Sequence, residues 1–282
     1  MATFTNQATL TYNGIRVSSN IATGEMLEVL EISKTAAGTT YVPADELTYS
    51  VSLINTGSTP LTGITLTDDL GGYTFGTVGT VYPLTLADTA VVYYVNGVLQ
   101  PAPTVSAGPP MTVSGINIPA GGNAVIIYRV NITEYAPLDA TGTVTNTASA
   151  GTVGDTTATA SETVSAASVA NLDITKSMSP TVVSENDTIT YTFDITNTGN
   201  TAANTTVVLS DTFDPVLTDI TVALNGSPLT PSTQYTYDTS TGEFSTVAGV
   251  ISVPAATFTQ DPTTGVITTN PGSTTVTVTG TI

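Results

Sequence analysis

Cysteine, histidine and tryptophan are all absent from the 282 residues. Without cysteine there is no disulfide, thiolate nucleophile or thiolate metal site; without histidine the commonest general base and zinc ligand is gone. A histidine-based catalytic triad is excluded. Basic residues are almost as scarce: Lys plus Arg number 4 against 22 Asp plus Glu, a formal net charge of -18. Such a chain cannot replace the counterions of a nucleic-acid backbone, and it is repelled by an anionic membrane surface. Charged residues of both signs make up 9%, against about 25% in an average soluble protein. No apolar run approaches the ~18 residues of a membrane span, so membrane insertion is not expected. Met1-Ala2-Thr3-Phe4-Thr5-Asn6 has neither a charged leader nor an apolar stretch after it. No secretory signal is therefore read there, which implies either a removed signal or assembly without classical export.

What remains is 40% hydrophobic, dominated by Val and Ala, with Thr and Gly abundant beside them. Thr and Val are stiff at the first side-chain torsion and suit a pleated surface, so the bias is toward strands. Period-two alternation recurs. Leu47, Tyr49, Val51 and Leu53 share one face of Leu47–Leu53, and Ile189, Tyr191, Phe193 and Ile195 share one face of Thr188–Ile195. Thr274–Thr279 repeats the pattern. These read as antiparallel strands with one buried face. Asn96-Gly97 and Asn225-Gly226 each follow such a strand and predict type I′ hairpins. The expected fold is all-β, built from sandwiches.

The most informative pattern is an internal repeat. Leu30-Glu31-Ile32-Ser33-Lys34 matches Leu172-Asp173-Ile174-Thr175-Lys176 at an offset of 142 residues, and Leu47-Thr48-Tyr49 through Asn55-Thr56-Gly57 matches Ile189-Thr190-Tyr191 through Asn197-Thr198-Gly199 at the same offset. Leu66-Thr67-Asp68 matches Leu209-Ser210-Asp211 with one residue inserted. Two tandem sandwiches are expected, at 25–167 and 168–282, after an arm at 1–24. The first copy continues into Thr143–Ser149 and a further Thr/Ala-rich strand; the second reaches Ile282 where that pair is due. Thr3–Thr9 resembles Thr143–Ser149 at an offset of 140. The arm thus reads as the last strand of a sandwich outside its own chain, with Phe4, Asn6, Ala8 and Leu10 as the donated residues.

Lys34, the Thr-Tyr strand leading to Asn55-Thr56-Gly57, Asp68 and Asn146-Thr147-Ala148 resemble a bacterial surface-protein repeat, the family called domain of unknown function eleven. Both copies carry the resemblance, which covers nearly the whole chain. It implies Ig-like sandwiches in bacterial envelope proteins. Subunits of clostridial spore appendages are similar in repeat content and size, and the resemblance to them implies a filament at the spore surface, assembled in the mother cell.

The only two lysines, Lys34 and Lys176, occupy one register in the two repeats. With Asp68 and Asp211 on apolar-flanked strands, and Asn146 and Asn6 on closing strands, they resemble the Lys–Asn–Asp set of autocatalytic isopeptide domains. That chemistry requires burial, which lowers a lysine pKa and raises an aspartate pKa, giving a neutral nucleophile and a proton shuttle. The expectation is an intramolecular Lys34–Asn146 bond assisted by Asp68, and an intermolecular Lys176–Asn6 bond assisted by Asp211. Asp69 is an alternative shuttle, and ordinary Lys–Asp ion pairs are the alternative to both bonds. Each reaction is single-turnover, so no enzyme is expected, and neither a cofactor nor a metal. Calcium at Asp211, Asp214 and Asp219, or at Asp68 and Asp69, has no recognisable ligand spacing. The expected partner is a second copy of the chain, because donor and acceptor at opposite ends give an open head-to-tail filament. Other surface or spore-coat proteins are further candidates. The competing reading is an adhesin or stalk module gripping a glycan or protein, for instance through Tyr93 or Tyr94.

Overall fold

The computed structural model describes residues 2–26, 29–88, 91–151 and 157–282. The Thr/Val-rich alternation forms strands throughout, and the two repeats are tandem Ig-like β-sandwiches. In the first, one sheet contains β5 (Leu30–Ala36), β6 (Glu46–Asn55), β8 (Val92–Val95) and β10 (Asn123–Ile132), in the order β8-β10-β6-β5. The facing sheet contains β7 (Leu61–Asp68), β9 (Met111–Ile118), β11 (Thr143–Gly151) and β12 (Ala158–Ala166), in the order β9-β7-β11-β12. Alternate residues meet between the sheets: Leu47, Tyr49, Val51 and Leu53 from β6 against Ile64 and Leu66 from β7. The hairpin of β11 and β12 closes the sandwich, with β12 lying against β5.

The second sandwich has β13 (Leu172–Ser179), β14 (Thr188–Asn197), β16 (Thr218–Leu224) and β21 (Gly272–Thr281) in the order β13-β14-β21-β16. Facing them are β15 (Ser210–Thr212), β17 (Tyr235–Tyr237) and β18 (Glu243–Thr246), in the order β15-β18-β17. Its core is smaller, centred on Phe193, Phe213, Phe244 and Val276. Among the described residues no strand lies on the free flank of β15, where β11 pairs with β7 in the first sandwich. Every residue of β13 is exposed, whereas β5 at the same register buries Lys34. An extra hairpin, β19 (Thr257–Gln260) with β20 (Ile267–Asn270), ties the two sandwiches together. Gln260 donates to the Tyr73 hydroxyl at 2.6 Å, and the Ile267 amide donates to the Glu134 carbonyl at 2.9 Å.

The repeated Asn-Thr-Gly has a physical cause. Asn55 is fully buried; its amide nitrogen donates to the carbonyls of Thr59 and Pro119 at 2.8 and 3.0 Å, and its oxygen accepts from Gly57 N at 2.9 Å. Asn197 does the same with Thr201, Pro254 and Gly199. Each asparagine thus satisfies the loop backbone where the chain leaves one sheet for the other. Glycine follows because a Cβ on Gly199 would stand 2.2 Å from the Val169 carbonyl oxygen.

The arm differs from the single strand expected for residues 1–24. It is a two-stranded ribbon: β1 (Ala2–Asn6) pairs with β4 (Ala22–Met26), and β2 (Thr9–Tyr12) with β3 (Ile15–Ser18). The turn is Asn13-Gly14, with φ of 47° and 79°, the same conformation found at Asn96-Gly97 and Asn225-Gly226. Two strands form because a lone strand leaves both edges unpaired, and an Asn-Gly turn supplies the partner locally. The expected boundary after residue 24 falls inside β4, which continues to Met26.

Replacing Asn55 by Ala removes a buried donor and acceptor and strands two carbonyls. The first sandwich of Asn55→Ala should lose about 2–3 kcal/mol in denaturant unfolding; an unchanged midpoint would show that water replaces the side chain at no cost.

Candidate functional site

Strand geometry assembles the first cluster. On β5 the inward residue is Lys34; β7 ends in Asp68; β11 turns Asn146 inward together with Val144 and Ala148. Asp68 lies opposite Ala148 in the β7–β11 ladder, which places Asn146 one inward position further along β11. Tyr49 and Tyr128 face each other across the β6–β10 ladder, with ring centroids 5.9 Å apart. All five side chains are buried.

Lys34 Nζ is 2.6 Å from Asp68 Oδ2, and both side chains are wholly shielded from solvent. Tyr128 donates its hydroxyl proton to the same oxygen, and the Leu70 amide donates to the other at 3.0 Å. Lys34 Nζ also sits 4.8 Å from the Tyr49 ring centroid. Burial pulls the Lys34 pKa below its ordinary value, against the opposing pull of Asp68. Burial pushes the Tyr128 phenol well up, and the Asp68 charge adds to it. Asn146, buried one inward position from the residue opposite Asp68, belongs to this cluster, yet neither of its polar atoms has a hydrogen-bond partner among the described residues. Chemically, a desolvated ammonium–carboxylate pair lies one proton transfer from a neutral amine and a carboxylic acid, with an unengaged carboxamide in the same pocket. Asp69, the alternative shuttle, is occupied elsewhere: its Oδ1 accepts from the amides of Gly71 and Thr147, each at 2.9 Å.

The second cluster has the same register and a different solvent environment. Lys176 pairs with Asp211, but the side chains remain 41% and 19% exposed. The Lys176 ammonium stands 4.8, 5.4 and 5.3 Å from the rings of Tyr191, Phe193 and Phe213, an aromatic pen open on one side. Tyr191 repeats Tyr49, whereas Val278, opposite Tyr191 in the β14–β21 ladder, stands where Tyr128 does. Asn6 is not brought to Lys176 within the chain. It lies exposed on β1, opposite Ala22. Phe4, Ala8 and Leu10 are exposed too, and the Phe4 ring covers the space a Cβ of Gly24 would need.

Among the described residues no group of three or more acidic side chains could hold a metal ion. Of the two tyrosines weighed for glycan binding, Tyr93 is buried, and its hydroxyl both donates to the Asn117 carbonyl and accepts from the Asn117 amide. Tyr94 is half-buried. Sequence reasoning missed the roles of Tyr49 and Tyr128 and the ribbon turn at Asn13-Gly14. The turn carried a clear signal, an Asn-Gly between Thr9–Tyr12 and Ile15–Ser18; Tyr128 carried none, because its contact to Asp68 crosses from one sheet to the other.

Fold and cluster together define a tandem Ig-like sandwich protein with one closed and one open lysine–aspartate site. No protein-family model matches the chain, and no curated protein matches it. Among solved structures, the collagen-binding domain of a Staphylococcus aureus adhesin is similar over 50% of this chain and 99% of its own, at 15% identity and a TM-score of 0.31. The full-length major pilin SpaD from Corynebacterium diphtheriae is similar over 58% of this chain and 41% of its own, at 12% identity and a TM-score of 0.36. BcpA, the major pilin subunit of Bacillus cereus, is similar over 96% of this chain and 73% of its own, at 9% identity and a TM-score of 0.35. At these identities and scores the likenesses bear on neither ligand nor partner.

The contrast between the two lysines is directly measurable. Brief treatment of the monomeric chain with an amine-acylating reagent should modify Lys176 well ahead of Lys34 in a peptide map. Equal labelling would mean that the first sandwich opens as readily as the second site stands exposed.

Proposed function

We propose that the chain is a non-enzymatic structural subunit that polymerises head to tail into a filament at a bacterial surface or spore. In this reading the ribbon of residues 2–26 closes the second sandwich of the next copy. A Lys34–Asn146 isopeptide bond braces each first sandwich, and a Lys176–Asn6 bond seals each joint. The observation that carries the reading is one of register. Asn6 lies opposite Ala22 in the ribbon just as Asn146 lies opposite Glu162 in the closing hairpin, and both residues of the pair are shifted by the same 140 positions. Phe4, Asn6, Ala8 and Leu10 thereby correspond to Val144, Asn146, Ala148 and Ala150, the buried face of β11. Opposite Val144 stands Val164, and opposite Phe4 stands Gly24, so one large ring takes the space of two valines.

The acceptor is complementary. β15 has a free edge, and Leu172, Ile174 and Met178 on β13 are exposed apolar side chains flanking Lys176. By analogy with Ala148 opposite Asp68, Ala8 of the incoming ribbon would lie opposite Asp211. Burying Phe4, Leu10, Ile174 and Met178 at about 1.5–3 kcal/mol each is comparable with the roughly 4–15 kcal/mol lost in immobilising a partner. Backbone pairing and the covalent bond therefore decide whether the joint persists. Insertion would also cover Lys176, whose side chain is 41% exposed in the single chain, and bring a carboxamide to it.

Wild-type polymer should run as a ladder after boiling in detergent. The Asn6→Ala chain should run as monomer, and deletion of residues 2–26 should abolish end-to-end association altogether. A ladder unchanged by Asn6→Ala refutes the covalent joint. A deleted chain that still forms filaments refutes ribbon donation and favours lateral packing.

A further inference from the structure

Three buried side-chain polar atoms lack a hydrogen-bond partner among the described residues: the Tyr49 hydroxyl and the two amide atoms of Asn146. Each such atom forfeits its hydration with nothing in return, which native folds rarely tolerate. These three belong to one buried cluster, since Asn146 stands one inward position along β11 from Ala148, which lies opposite Asp68, the partner of Lys34. The same pocket holds Lys34 Nζ, 4.8 Å from the Tyr49 ring centroid. A phenol with no acceptor, beside a carbonyl with no donor, is the arrangement that a carbonyl under attack requires.

We infer that the Tyr49 hydroxyl is the oxyanion donor for condensation of Lys34 with Asn146, a role that rests on the cross-link proposed above. The steps balance without any external reagent. Lys34 passes one proton to Asp68, giving a neutral amine and a carboxylic acid. The amine lone pair attacks the Asn146 side-chain carbonyl carbon; the new C–N bond forms as the carbonyl π pair moves onto Oδ1, which accepts the Tyr49 proton in a hydrogen bond. Asp68 protonates Nδ2 and takes a proton from the attacking nitrogen. The C–Nδ2 bond then breaks, the carbonyl re-forms, and the departing ammonia carries away the last proton as ammonium. Afterwards none of the three orphaned atoms is left unpaired: Nδ2 has left, and the new amide oxygen accepts from Tyr49. The donor acts where charge develops and in a dry pocket, where such a hydrogen bond has most effect.

The division of labour between the two tyrosines supports this assignment. Tyr128 already donates to Asp68, and its position in the second site is taken by Val278. Tyr49 is uncommitted, and its counterpart Tyr191 is retained with the same 4.8 Å spacing to Lys176. Of the two tyrosine positions, only that of Tyr49 is thus common to both sites.

The test uses full-length chain isolated unfolded in denaturant, refolded by dilution and followed by intact mass for loss of one ammonia. Tyr49→Phe keeps the ring against Lys34 and removes only the hydroxyl. Its condensation rate should fall on the order of 10²–10³-fold, with an unchanged circular dichroism spectrum. Condensation of Tyr49→Phe at the wild-type rate overturns the oxyanion role while leaving the cross-link intact. A wild-type chain that never loses ammonia overturns the cross-link and this inference with it. Should Tyr49→Phe fail to fold, Tyr191→Phe carries the same test to the joint, read as the rate at which the covalent ladder appears; a wild-type rate there overturns the role.

Discussion

An ammonium can sit in the middle of the first sandwich only because β11 and β12 close over it. Lys34 and Asp68 are taken out of water together, and neither burial is tolerable without the other. In the second sandwich, where no strand among the described residues covers it, the same pair is an ordinary, partly solvated contact held among aromatic rings. Whether a strand pair covers the site therefore sets the electrostatics of both.

The proposed assembly treats the ribbon and the closing hairpin as two versions of a single object. They share register from Asn6 and Asn146 through their opposing strands, and they diverge where the side chains must differ. The valine pair of the hairpin becomes a phenylalanine over a glycine in the ribbon. The ribbon turns Leu10, Tyr12, Ile15 and Val17 to solvent, a run of exposed apolar side chains suited to covering by a partner.

Much of this was legible in the sequence, for identifiable reasons. Strand positions followed from period-two alternation because Leu47–Leu53 and Thr274–Thr279 have no competing helical period. The Lys–Asp register followed from the internal repeat, which supplies its own control: a lysine that recurs in a chain with only two is unlike a surface lysine. The second strand of the arm is signalled only by Asn13-Gly14, because the match of Thr3–Thr9 to Thr143–Ser149 covers one strand of the ribbon and not its partner. The tyrosines were hidden for another reason. Which side chains meet between sheets depends on how the sheets face each other, and no spacing along a single strand encodes that.

Scarcity of charge and of lysine then has a common logic. A chain with four basic residues offers few wrong partners for Asp68 or Asp211, and few stray amines to compete for a carboxamide. With a net charge of -18, copies repel one another at most orientations, which disfavours unspecific stacking. Only a contact that buries enough apolar surface and completes enough backbone ladder overcomes that repulsion; in the proposed filament the end bearing β13 and β15 would supply both. Longitudinal order in the proposed filament would then follow from what the sides of the molecule refuse as much as from what its ends accept.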